Sequence, residues 1–154
     1  MTGQKALPQR KLMNGRIHHL LIEDESLFQE YRKKVEQEFF PERGHGKLRL
    51  KEAEQAISEF ERLTESERYS LELKLIYVEN GVDYTLTYGD IDALFYYNIV
   101  SMYAKIIDQV NEDETAELFD KFEERLEAAV SKTEGIGWGF HDNLAELYVQ
   151  IRWI

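Results

Sequence analysis

The chain has no cysteine, only two prolines in 154 residues, and no acid in its first 22. Without cysteine there are no disulfides, no thiolate metal ligands and no cysteine nucleophile, and the chain suits a reducing compartment. With so little proline, long stretches are left free for helix. No apolar run approaches the ~20 residues a membrane span needs, and the leader lacks the apolar core of a signal peptide. These absences predict a soluble, cytoplasmic protein that does not enter membranes. Missing too are the nucleophile elbow, the zinc-protease helix, the EF-hand loop and the dinucleotide fingerprint, which counts against the common enzyme classes.

What is present suffices for one folded domain. Apolar residues make up 43% and aromatics 12% of the chain, too much for a disordered state. At this length a single core buries roughly two-thirds of the unfolded surface. Charge is unevenly placed. Residues 1–22 carry Lys5, Arg10, Lys11 and Arg16, so the remainder holds −15 of the net −11. Such an acidic body argues against duplex nucleic acid as a partner, because phosphate neutralisation needs a cationic surface. Residues 1–25 therefore read as a basic, partly disordered leader, and residues 26–154 as one all-helical domain.

Apolar spacing of 3.6 predicts six helices. The first begins at Ser26 as N-cap and is stopped by Pro41; the second covers residues 50–63. Thr64 and Glu67 read as a capping box for a third, which Asn80 and Gly81 end. The alternation in residues 82–86 is too short to make a sheet. Either Asp90 or Asp92 caps a fourth helix reaching Val110, apolar on nearly every face and so expected to be the most buried. Either Asn111 or Asp113 caps the fifth, and the sixth follows a third glycine loop at residues 135–142, with Leu144, Leu147, Tyr148 and Ile151 facing in. The predicted fold class is an all-α antiparallel array of about six helices, with three stacked hairpins of HEAT or armadillo type as one arrangement.

Three glycine-containing loops interrupt this pattern, at residues 41–47, 87–92 and 135–142. They follow helices one, three and five. If successive helices run antiparallel, all three emerge at the same end of the array. Residues 88–94 and 138–144 also echo one another as aromatic-Gly-x-x-Asp-x-Leu, at a spacing near that of helical-hairpin repeats. The motifs FFPERGHGKLRL (39–50), YGDID (88–92) and GIGWGFHD (135–142) resemble an uncharacterised family of small bacterial proteins, catalogued as a domain of unknown function. The resemblance covers residues 26–148 and implies a helical fold and a bacterial source. Members of that family continue upstream in helical sequence rich in lysine and glutamate, so a shortened amino terminus is expected here. The resemblance implies no activity, cofactor or catalytic residue.

The chemically capable residues sit on these loops. Arg43, His45 and Lys47 flank two glycines whose exposed amides could hold a phosphate or carboxylate. Gly44, Gly46 and Lys47 are too closely spaced for the phosphate-binding loop of nucleotide hydrolases. Pairing of Arg43 and Lys47 with neighbouring acids is the favoured alternative. His45, Asp90, Asp92, His141 and Asp142 have hard-metal character, with His141 oriented by Asp142 as a general base. Each aspartate also suits a helix N-cap. His18 and His19, being adjacent, cannot share a helix face. Trp138 and Phe140 are expected to plug the end of the core, with a ligand platform as the alternative.

The preferred function is a non-enzymatic binding or scaffold module without a cofactor. Its ligand-binding set would be Arg43, His45, Lys47, Tyr88, Asp90, Trp138, His141 and Asp142, and its partner a protein or a small anionic ligand. The alternative is a metal-dependent hydrolase using His45, Asp90, Asp92, His141 and Asp142. A purely structural role for the loops is the third reading.

Overall fold

The computed structural model describes residues 14–154, with side chains from residue 24 onward. Lys5, Arg10 and Lys11 lie outside the described residues, as do the side chains of Arg16, His18 and His19. Six helices follow one another: α1 Asn14–Glu36, α2 Leu50–Leu63, α3 Glu67–Tyr88, α4 Ala93–Glu112, α5 Glu117–Ser131 and α6 Phe140–Tyr148. No strand occurs among the described residues, and no helix there is long and apolar enough to cross a membrane. The all-α antiparallel array is therefore the observed architecture. Consecutive helices pack in pairs, α1 on α2, α3 on α4 and α5 on α6.

The most buried helix is α3, not α4. It packs against α1, α2, α4 and α5 and carries twelve buried residues, against eight on α4. Two sequence signals concealed this. Asn80 and Gly81 do not end α3; the Asn80 amide donates to the Ile76 carbonyl at 2.8 Å, and the helix runs on to Tyr88. Gly81 is instead a packing residue. A Cβ there would stand 2.4 Å from Ile99 Cδ1 on α4, so the glycine lets the two helices approach. The alternating residues 82–86 are helical as well.

Two further caps differ from expectation. Ser26 lies inside α1, because no proline or glycine interrupts the chain between Gly15 and Ser26 and the helix starts earlier. Helix α3 is capped by Ser66, whose hydroxyl accepts from the Tyr69 amide at 3.1 Å; Thr64 Oγ1 accepts from the Ser66 amide, so the Thr64–Glu67 capping box does not form. Asp92 does cap α4, accepting from the Phe95 amide at 2.8 Å. Asp113 accepts from the Leu118 and Thr115 amides at the start of α5. Burial alone would raise the Asp113 pKa, but these donors and the nearby Arg152 guanidinium hold it below the ordinary value.

Arg125 of α5 ties the third pair to the centre, reaching Glu72 at 2.5 Å and Glu79 at 2.7 Å on α3. The echo between residues 88–94 and 138–144 is not a structural repeat. Helix α4 begins five residues after Tyr88, whereas α6 begins two after Trp138. Leu94 is exposed where its counterpart Leu144 is buried.

Candidate functional site

The three glycine loops do share one end of the array, and a chain of rings joins them. His45 of the first loop lies 5.4 Å from Tyr88 at the end of α3, and Tyr88 lies 4.7 Å from Tyr84. Tyr84 meets Phe95 at 6.1 Å, and Phe95 meets Tyr96 at 5.4 Å on α4. Tyr96 then touches Phe140 at 4.8 Å and Trp138 at 6.3 Å, reaching the third loop. Tyr96 also organises the second loop. The Thr85 hydroxyl donates to the Gly89 carbonyl, so at 2.7 Å the Tyr96 hydroxyl must be the donor to Thr85. The same Tyr96 oxygen accepts from the Ile91 amide at 3.2 Å.

The first loop is built around Glu38, whose side chain is only 3% exposed. Its carboxylate takes the Arg49 guanidinium through both Nε and Nη2, at 3.0 and 2.8 Å, and the Arg49 amide at 3.0 Å. Arg49 has φ −79° and ψ 74°, and the Leu50 amide donates back to the Leu48 carbonyl, an inverse γ-turn immediately before α2. Leu48 sits at φ 53°, a left-handed position that disfavours a branched side chain. Holding it there costs roughly 1–3 kcal/mol, which the Glu38–Arg49 pair offsets. Gly46 makes this compactness possible, since a Cβ there would stand 2.4 Å from the Glu38 and Phe39 carbonyl oxygens.

Beside this loop lies a groove of about 540 Å³, walled by Leu48, Leu50 and Lys51 on one side and Ile91, Leu94 and Tyr97 on the other. Leu94 and Tyr97, one helical turn apart on α4, are each 67% exposed. Nine large apolar side chains among the described residues are exposed, and six of them are at this end: Phe40, Leu86, Tyr88, Leu94, Tyr97 and Trp138. Of these, Leu94 and Tyr97 line the groove and Phe40 stacks on Tyr88, and clustered exposed apolar side chains on an otherwise charged protein mark an interaction site. Cations border it. Arg43, Lys47 and Lys51 are exposed and make no ion pair among the described residues, so the expected pairing of Arg43 and Lys47 with acids does not occur.

The candidate residues divide. His45, Tyr88 and Trp138 join the ring chain, and Arg43 and Lys47 stand free on the first loop. Asp90 and Asp142 are exposed without a hydrogen bond among the described residues. His141 is a brace. The Thr133 hydroxyl donates to the Val130 carbonyl at 2.6 Å, so His141 Nδ1 must carry its proton to reach Thr133 Oγ1 at 3.0 Å and the Val130 carbonyl at 3.1 Å. Asp142 plays no part in orienting it and caps nothing. Phe140, fully buried, plugs the core as expected; Trp138, 57% exposed, does not.

The metal set of His45, Asp90, Asp92, His141 and Asp142 does not assemble. Among the described residues no three histidine, aspartate or glutamate groups are placed to share an ion. Asp92 is spent on the α4 cap and His141 on the third loop, which is why residue types alone misled.

Sequence reasoning missed the groove wall of Leu48, Leu94 and Tyr97 and the anchor Glu38. No sequence signal pointed to the groove, because a helix apolar on nearly every face reads as the central one until the topology gives that place to α3. No family model, curated protein or solved structure matches the chain, so any functional reading rests on its own residues.

Proposed function

We propose that the protein is a non-enzymatic binding module that takes up a segment of a partner protein at its glycine-loop end. One observation carries this reading: the groove of Leu48, Ile91, Leu94 and Tyr97 is apolar, open and held by a preorganised loop. An anion alone would need the cations and not the apolar walls. A protein segment uses both, burying apolar anchors in the groove and setting carboxylates against Arg43, Lys47 and Lys51. Preorganisation of the first loop lowers the ordering cost that binding would otherwise incur.

The test is a selection of displayed random peptides on the native chain, followed by affinity measurement on Leu94→Asp. Leu94 is exposed, so the substitution leaves the fold intact. Losing its burial costs about 2 kcal/mol, or roughly thirtyfold in affinity. Peptides that bind native protein and Leu94→Asp equally would contradict the proposal.

A further inference from the structure

The groove does not end at the glycine loops. Helices α2 and α4 both pack on α3, leaving a furrow between them. Lys51 belongs both to the apolar groove and to a second cavity of about 510 Å³, which also meets Gln55, Ser58, Arg62 and Lys105. Lys105 in turn borders a third cavity of about 290 Å³, floored by Ser70 and Lys74 of α3 and walled by Asp108, Gln109 and Glu112. Three hollows thus run end to end along one track. On α4 they use positions 94, 95, 97, 98, 105, 108, 109 and 112, and on α2 positions 50, 51, 54, 55, 58, 59, 61 and 62. On α4 all but position 95 follow the i, i+3, i+4, i+7 spacing of one helix face, and on α2 they cover one side of the helix. From Leu94 to Asp108 the track is about 21 Å long at 1.5 Å per residue.

The track is zoned. Its first third is apolar. In the middle third, Lys51, Arg62 and Lys105 outnumber Glu54 and Glu59, whose carboxylates accept the Tyr77 hydroxyl at 2.6 Å and the Tyr31 hydroxyl. Lys51, Arg62 and Lys105 there make no ion pair among the described residues. The last third reverses sign. Its buried Lys74 ammonium is already matched by Glu61 at 2.8 Å, leaving Asp108 and Glu112. Gln109 Oε1 is buried there with no protein donor, while its Nε2 serves Glu67.

We propose that the α2–α4 furrow binds an amphipathic helix of a partner protein, about four turns long and laid in one direction. Its apolar residues fill the groove between Leu48, Leu94 and Tyr97, and its carboxylates follow within two turns over Lys51, Arg62 and Lys105. Donor or basic residues come last, against Asp108, Gln109 and Glu112. Helix-in-groove recognition reads such anchors at i, i+3, i+4 and i+7. Charge complementarity sets the direction, because a reversed helix would put its carboxylates beside Asp108 and Glu112. This proposal rests on the glycine-loop end being a protein-binding site and extends it along the molecule.

A display library of sixteen-residue helix-forming peptides, selected on the full chain, tests it. Enriched peptides should carry apolar residues in one turn and Asp or Glu one to two turns further along. Selection on the double variant Arg62→Glu, Lys105→Glu should enrich Lys or Arg at those positions, and peptides from the first selection should bind the variant roughly tenfold more weakly. Both side chains are exposed, and an unchanged melting temperature shows that the variant is folded. Enriched helices without an acidic preference, or indifferent to the double variant yet lost on Leu94→Asp, overturn the furrow while sparing the glycine-loop site. No enrichment of helical peptides overturns the furrow as well, and indifference to Leu94→Asp removes both readings.

Discussion

Glu38 and Gly46 show how single residues shape the binding end. The Glu38 carboxylate is buried because Arg49 meets it on two sides and a backbone amide on a third; a buried carboxylate without these donors would be costly. Gly46 is held against two carbonyl oxygens where no other residue fits. Gly46→Ala therefore forces the loop away from the end of α1. We expect it to destabilise the fold by about 2 kcal/mol, read by urea unfolding, and to weaken peptide binding beyond what lost stability explains. Wild-type stability in Gly46→Ala would mean that the loop is looser than its contacts indicate. Glu38 did not stand out in the sequence, and Gly46 stood out only for its exposed amide. A glutamate in a run of charges reads as surface, and a glycine among basic residues reads as an anion cradle; the roles of both are decided by partners eleven or fewer residues away that only folding brings together.

Helix positions were legible where the period was strong and illegible where punctuation misled. The stripes of α2 and α5 could be read from spacing alone, since each buries one face. The boundary at Asn80 and Gly81 could not, because the same residue pair that ends helices also permits close helix packing. The geometry makes this testable. A methyl group at position 81 would meet Ile99 Cδ1 and Cγ1 at 2.4 and 2.9 Å. Alanine gains about 1 kcal/mol of helix propensity over glycine, against an overpacking cost of about 1–3 kcal/mol. Gly81→Ala should thus be destabilising on balance, and Ile99→Val, which removes Cδ1, should recover part of the loss. A double-mutant cycle by thermal unfolding measures the coupling; additive effects would show that α3 and α4 do not approach as closely as the structure has them. The groove was beyond the sequence for a related reason. Leu94 and Tyr97 look like core until the topology places α4 beside α3 with that face uncovered.

At the scale of the whole molecule, tyrosines set an alkaline limit to stability. The Tyr31 hydroxyl donates to Glu59, and this bond, with burial and the nearby carboxylates, pushes its pKa up to about 12. Burial raises Tyr77 and Tyr103 as well, Tyr77 also through its bond to Glu54. An unfolded tyrosine ionises near pH 10. Between pH 10 and 12 the unfolded chain has lost a proton that folded Tyr31 keeps, so its stabilisation is complete below pH 10 and disappears as pH rises towards 12. Melting temperatures taken from pH 8 to 12 should be level at first and fall from about pH 10, with a shallower fall in Tyr31→Phe. A fall of equal steepness in the variant would remove Tyr31 from the account. The same scale holds the central claim, that parity gathers three loops at one end, where the first two form a binding groove continued by a furrow. Amide chemical-shift mapping of the full chain, titrated with a peptide selected on the native protein, tests it most directly. The account predicts perturbations confined to residues 43–51, 88–98 and the facing sides of α2 and α4. Shifts centred on the outer faces of α5 and α6 would contradict it.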